Sequence, residues 1–478
     1  MNFVTLEFCI FFPIVLFILY LSCYHLGIYK GALLAGNIFF YAYAGLTFLP
    51  LLFTVIILNW CTGKFLFSSK TTCSKKIIIT INIILHILIL AFFKYYEFII
   101  LSLESIFSLG RSIPITLPMI DIFFPVGLSF YTFQGLSYSI DQYRNPTSHP
   151  ESFINVSLFI SFFPTILAGP IMRGHQFFPQ LGKCNYISDE LITGFALILS
   201  GLFKKVVLAS YLSEHIVRDV FQSPGIYSSW TILTAVYGYS IQIFCDFSGY
   251  SDLAIGIGAL MGYRIPQNFN APYLAYNLQI FWHRWHITLS QWLKDYLYIP
   301  LGGNKKGNRY INLIITMFIG GLWHGSHLRF LIWGFLHGIG LALVHFIKTV
   351  CASQTNVQYL LNIPFIKTIH YIISWALTFH FVSFLWIFFR AEDVPCALEI
   401  IKRIIIFGQE GEGFPILVIP VILTGLLIQV VGPYILTSFT KFQKRLHWII
   451  QTFVLAFIAG IILKMGPDGI MPFIYFQF

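Results

Sequence analysis

The sequence predicts an all-α, polytopic integral membrane protein, and three observations carry that prediction. Hydrophobic residues make up 57% of the 478 and charged residues only 10%, against about 25% charged in an ordinary soluble domain. Stretches 8–29, 31–63, 122–140, 152–172, 220–245, 310–328, 330–347, 368–389, 413–440 and 446–463 contain no Asp, Glu, Lys or Arg. Most reach or approach the roughly 20 residues a helix needs to cross about 30 Å of hydrocarbon. Aromatic residues reach 18%, with 26 Tyr and 10 Trp, and these rings settle at bilayer interfaces.

Taken in order, the N-terminus reads MNFVTLEF and lacks the basic start of a cleaved signal, so the first apolar segment is read as a retained span. Stretch 31–63 has room for two spans, broken near Pro50. Lys64, Lys70, Lys75 and Lys76 follow with no acidic residue among them, which places their loop in the cytoplasm. Segments 77–93 and 191–213 add spans, the second interrupted by Lys204 and Lys205. The expected total is about eleven to thirteen crossings, with re-entrant or interfacial helices around a central funnel.

One membrane domain, 1–478, is expected, with three textures. Residues 1–120 are plain N-terminal spans, 121–345 form a catalytic core, and 346–478 return to plain spans with an amphipathic piece at 391–407. The core departs from the rest. Pro125, Pro164, Pro170, Gly169 and Gly201 interrupt apolar runs there. Broken backbone at membrane depth survives only where protein or a water-filled cavity satisfies it. Asp246, Asp252, Arg264, His283, Arg284 and His286 also fall in this region. A charge near the bilayer centre costs on the order of 3 kcal/mol, so a polar pocket entering the membrane is inferred. Segment 273–299 is one helix by pattern, too polar to face lipid, and is expected in the interface or re-entrant. The loop GGNKKGNR at 302–309 reads first as a cytoplasmic loop, and that placement is compatible with contact to an anionic donor through Lys305, Lys306 and Arg309.

The +10 formal charge does not form a basic stripe with interleaved aromatics, so no nucleic-acid partner is expected. Eight scattered cysteines without a CxxC pair read as small core residues, not as a disulfide frame or a zinc site.

Of 14 histidines, His25, His86 and His370 stand alone in apolar segments and read as packing residues. Two differ by context. His324 lies in GGLWHGSH, where Gly320, Gly321 and Gly325 permit close approach. His286 lies in FWHRWHITLSQW beside Trp282 and Trp285. His283, His286, His324 and His327 could together suggest a metal, but HRWH lacks the glutamate of HExxH and no metal is expected. No GxSxG elbow is present. General-base chemistry remains, because imidazole exchanges protons near neutral pH. Asn270, Trp282, Arg284, Trp285, Trp323, Asp246 and Asp252 are candidate funnel residues, with Asn270, Trp285 and His286 as unranked oxyanion donors.

The sequence resembles the membrane-bound O-acyltransferases, most closely their bacterial alginate-acetylating branch. The similar stretches are 123–144, 162–173, 201–209, 242–263, 268–304, 320–338, FFRAED at 388–393 and the terminal FIYFQF. The resemblance implies His324 as catalytic base or acyl-accepting residue and His286 as a second functional histidine. It implies acetyl transfer from a cytoplasmic thioester such as acetyl-CoA, with no bound cofactor, to a cell-envelope polysaccharide of alginate or peptidoglycan type. An extracytoplasmic acetyltransferase partner and a bacterial inner-membrane location are implied with it. D-alanyl transfer to teichoic acid, long-chain acylation of a protein or lipid and, in a different class, a membrane transporter are the alternatives.

Overall fold

The computed structural model describes residues 1–108, 116–120, 122–146, 149–182, 188–353, 363–466 and 473. Of the similar terminal run, only Phe473 lies among them. The described residues are helical, with no strand and a single bridge pairing Tyr227 with Glu412. Eight helices among them are long and apolar enough to span, and Leu6–Leu21 is a shorter apolar one. Among the described residues, fewer long spans form than the charge-free runs suggest, because several runs break into short pieces. Phe153–Ser161 and Phe163–Ile166 divide stretch 152–172, for example.

The chain forms two compact units. The first comprises Met1–Ile187 with Gly258–Ile265, and the second Ser188–Ile257 with Pro266–Phe478. In the first, the main helices are α1 (Leu6–Leu21), α2 (Leu26–Ala42), α3 (Leu49–Ser68), α4 (Thr72–Ser108), α5 (Leu128–Arg144) and α6 (Phe153–Ser161). A buried polar network joins α3, α4 and α5. Asn59 donates from Nδ2 to His86 Nε2 at 3.0 Å, and His86 Nδ1 donates to the Asn82 carbonyl at 2.8 Å. Ser139 donates to Asn59 Oδ1, and Asn82 donates to Thr62. His86 is therefore the hydrogen-bonded packing residue anticipated, whereas His25 and His370 are exposed. The cysteine reading needs one correction: Cys23 is disulfide-bonded. It sits half-exposed in the turn after α1, where a thiol is accessible rather than packed in a core.

The second unit begins with α7 (Ser188–Leu202), continued by a π-helical turn, Phe203–Ala209, and then α8 (Ser229–Leu260). Gly201 and Gly249 let α7 and α8 approach backbone to backbone; a Cβ on either would meet the other's carbonyl within 3 Å. At this crossing the widened turn turns Lys204 and Lys205 inward. Lys204 pairs with Asp252 at 2.6 Å and Lys205 with Asp246 at 2.5 Å. The apparent interruption of a span is thus a pair of internal ion pairs. Beyond it lie α9 (Leu278–Arg284), α10 (Ile287–Leu293), α11 (Arg309–His324), α12 (Leu328–Ser353), α13 (Pro364–Arg390), α14 (Val394–Ile405), α15 (Val418–Gln443) and α16 (Trp448–Met465). Segment 273–299, expected as one helix, is broken at Trp285 and His286.

Candidate active site

The break between α9 and α10 creates the site. Asn277 caps α9 by accepting from Ile280 N–H, and α9 ends at Trp285 in extended backbone. His286 then takes the left-handed region, φ +42°, ψ +55°. A non-glycine residue there costs of order 1–3 kcal/mol and persists only where its surroundings enforce it. Asn268 enforces it. Its carbonyl accepts from Ile287 N–H at 2.9 Å. Its Oδ1 accepts from Thr288 N at 3.2 Å, Thr288 Oγ1 at 2.9 Å and His286 Nδ1 at 3.1 Å. Its Nδ2 donates to Ser251. An amide oxygen only accepts, so His286 carries its proton on Nδ1 and its lone pair on Nε2. His286 lies outside the spanning helices and is 1% exposed. Desolvation pushes its pKa down to about 3, so the ring stays neutral.

His324 ends α11, where Gly325 leaves the helix in extended backbone. Gly321 meets Gly334 of α12 backbone to backbone, and Gly325 packs under the Phe330 ring. These contacts fix the last turn of α11. The His324 ring is walled by Trp323, Trp333 and Phe389 at centroid distances of 4.9, 5.1 and 5.0 Å. Trp323 also lies 6.2 Å from His286. Two buried imidazoles from distant parts of the sequence therefore share one indole neighbour.

The other anticipated residues divide. Trp282, Trp285 and Trp323 are buried close to the pair, with Trp285 packed among Phe269, Phe281 and Trp386. Arg284 is half-buried and reaches the Ala271 carbonyl, while Asn270 is exposed and gives its backbone N–H to Arg284. Asp246 and Asp252 are held in ion pairs between α8 and the π-helical turn after α7. His283 is exposed, unlike buried His286 three residues on. Asn268, which orients His286, was missed. It stands two positions from Asn270 in NFN, and nothing local separates the two asparagines.

A cavity of about 830 Å³ adjoins this region, lined by Trp282, His283, Ile287, Met317 and Thr316 among others. Lys294, Lys305 and the Gly302–Asn304 backbone also line it. Of the loop cations anticipated as donor contacts, Lys305 reaches the cavity. Lys306 is exposed, and Arg309 is bonded to Tyr310 and Thr349.

Fold and site together define a polytopic membrane protein with a buried two-histidine centre beside an apolar cavity. The profile of the membrane-bound O-acyltransferase family (MBOAT) matches residues 38–389. The chain belongs to that family, and it is an O-acyltransferase. It is 33% identical to the probable alginate O-acetylase of Pseudomonas putida, over 98% of both chains. It is 35% identical to the peptidoglycan O-acetyltransferase of Helicobacter pylori, over 78% of this chain and 73% of that one. It is 28% identical to the teichoic acid D-alanyltransferase of Bacillus subtilis, over 54% of this chain and 67% of that one.

Proposed function

We propose that the chain transfers acetyl from a cytoplasmic thioester, with acetyl-CoA as the donor, to hydroxyls of a cell-envelope polysaccharide of alginate or peptidoglycan type. The reading places it in a bacterial inner membrane, with an extracytoplasmic acetyltransferase as partner. The observation that carries it is the pairing of buried His286 and His324 across Trp323. Two of the relatives described above are named as O-acetylating proteins.

In this mechanism His324 acts as general base. The acceptor hydroxyl gives its proton to the imidazole as its oxygen attacks the thioester carbonyl. The C–S bond breaks, and the proton passes to the departing thiolate. Positioned proton transfer of this kind contributes roughly 10²–10⁴-fold. His286 presents its Nε2 lone pair because Asn268 holds the other nitrogen protonated. A lone pair there can accept a hydrogen bond from the acceptor hydroxyl and orient it. Lys294 and Lys305 supply positive charge along the cavity for an anionic donor tail.

The test uses purified protein in proteoliposomes with radiolabelled acetyl-CoA and soluble glycan. Wild type labels the glycan, with the extracytoplasmic partner added where it is required. His324→Ala, with unchanged size-exclusion behaviour, loses at least about a hundredfold of the transfer. Near-wild-type transfer by that variant would remove His324 from the mechanism. Labelling from D-alanyl thioester alone would redirect the reading to the teichoic-acid reaction.

A further inference from the structure

One buried histidine takes no part in the site just described. His337 on α12 is fully buried, and neither ring nitrogen meets a hydrogen-bond partner among the described residues. Its ring lies 4.7 Å from Trp333 and 5.1 Å from Trp282. The indole N–H groups of both tryptophans likewise lack a partner among the described residues. Both are more than nine-tenths buried. Leaving a buried donor or acceptor unmade costs about 1–3 kcal/mol per group. Three such groups in mutual contact point to something polar that they hold.

We propose that His337, Trp282 and Trp333 form a hydrogen-bonding subsite for the amide-bearing arm of the acyl thioester, next to the acyl-transfer centre. The proposal rests on the thioester reading above. Position favours the donor over the glycan. Trp282 lines the cavity that also bears Lys294 and Lys305, while Trp333 touches His324. Trp282 contacts both His337 and Trp333, so ring contacts run from the lysine-bearing cavity to His324. Chemistry favours an amide. Two indoles can only donate, and a neutral imidazole donates once and accepts once. A secondary amide answers both, with a carbonyl that accepts and an N–H that donates. His337 is a donor-holding residue in this scheme and takes no proton from the acceptor.

The experiment compares three acetyl donors on the full-length protein in proteoliposomes. These are acetyl-CoA, S-acetyl-N-acetylcysteamine, which keeps one amide, and S-butyl thioacetate, which has none. His337→Leu should lower kcat/KM about tenfold for the two amide-bearing donors, chiefly through KM, and leave the amide-free donor unchanged. His337→Gln, which keeps a donor and an acceptor, should recover most of the loss. Trp282→Phe, which deletes one N–H and keeps a ring, should give a smaller loss with the same donor dependence, and it stands in if His337→Leu does not fold. An equal loss with all three donors would mean that water or packing satisfies these groups, and the proposal would fall. A loss confined to the KM of the glycan would assign the subsite to the acceptor and overturn it too. No transfer by wild type from any of the three would sink the thioester reading itself, and the subsite with it.

Discussion

His86 in the first unit and His337 in the second are both fully buried, each on a long apolar helix. They are treated oppositely. Both His86 nitrogens are bonded, and its partners Asn59 and Asn82 are bonded in turn. His337 and its indole neighbours have ring contacts but no hydrogen bonds among the described residues. A saturated buried network stiffens a core and has nothing left to offer a ligand. An unsaturated one loses stability and keeps its hydrogen-bonding capacity for a substrate. Burial alone therefore does not mark a functional histidine; unused donors and acceptors do.

Substitutions separate the two kinds of buried polar group. The largest stability effect should come from Lys205→Ala, which removes the ammonium paired with Asp246 inside the second unit. Breaking one side of a buried ion pair costs about 3–5 kcal/mol, read as a large fall in Tm in detergent. A shift of a degree or two would show that the pair is solvated and not a structural element. Asn268→Ala should come next. It frees the His286 tautomer and backbone, with a loss of about tenfold or more in kcat and a smaller change in donor KM. Unchanged kcat would detach Asn268, and the tautomer argument, from the chemistry. His86→Leu should lower stability by about 1–3 kcal/mol while specific activity of the folded fraction holds. A loss of activity at full folding would erase the contrast between the two regions.

The smallest effect concerns pH. Burial holds His286 down to about 3 in the folded protein, against about 6.5 unfolded. The unfolded chain therefore takes up a proton that the folded site refuses. Stability is complete above about pH 6.5 and declines as pH falls below it, by at most about 1.4 kcal/mol per pH unit from this group. His286→Gln should flatten the fall in Tm between pH 6.5 and 5. An identical slope would mean that the ring accepts a proton in the folded state.

The spans and the polar middle region were legible because lipid forbids charge and leaves long uninterrupted runs. His286 and His324 stood out by their tryptophan and glycine neighbours. The helix break at Trp285 was not legible. The pattern of 273–299 continues through it, and the break is imposed by Asn268, 18 positions from His286. Lys204 and Lys205 read as defects because their acids lie on α8. His337 could not be told from His86, since the difference lies in what surrounds each ring after folding.

The central claim is that His286 and His324 act as one centre across Trp323. A double-mutant cycle on acetyl transfer, with His286→Ala, His324→Ala and both, tests it most directly. Groups that act as a unit are strongly non-additive, so the double variant should be about as slow as the slower single variant. Losses that multiply would show two independent residues and contradict the shared centre.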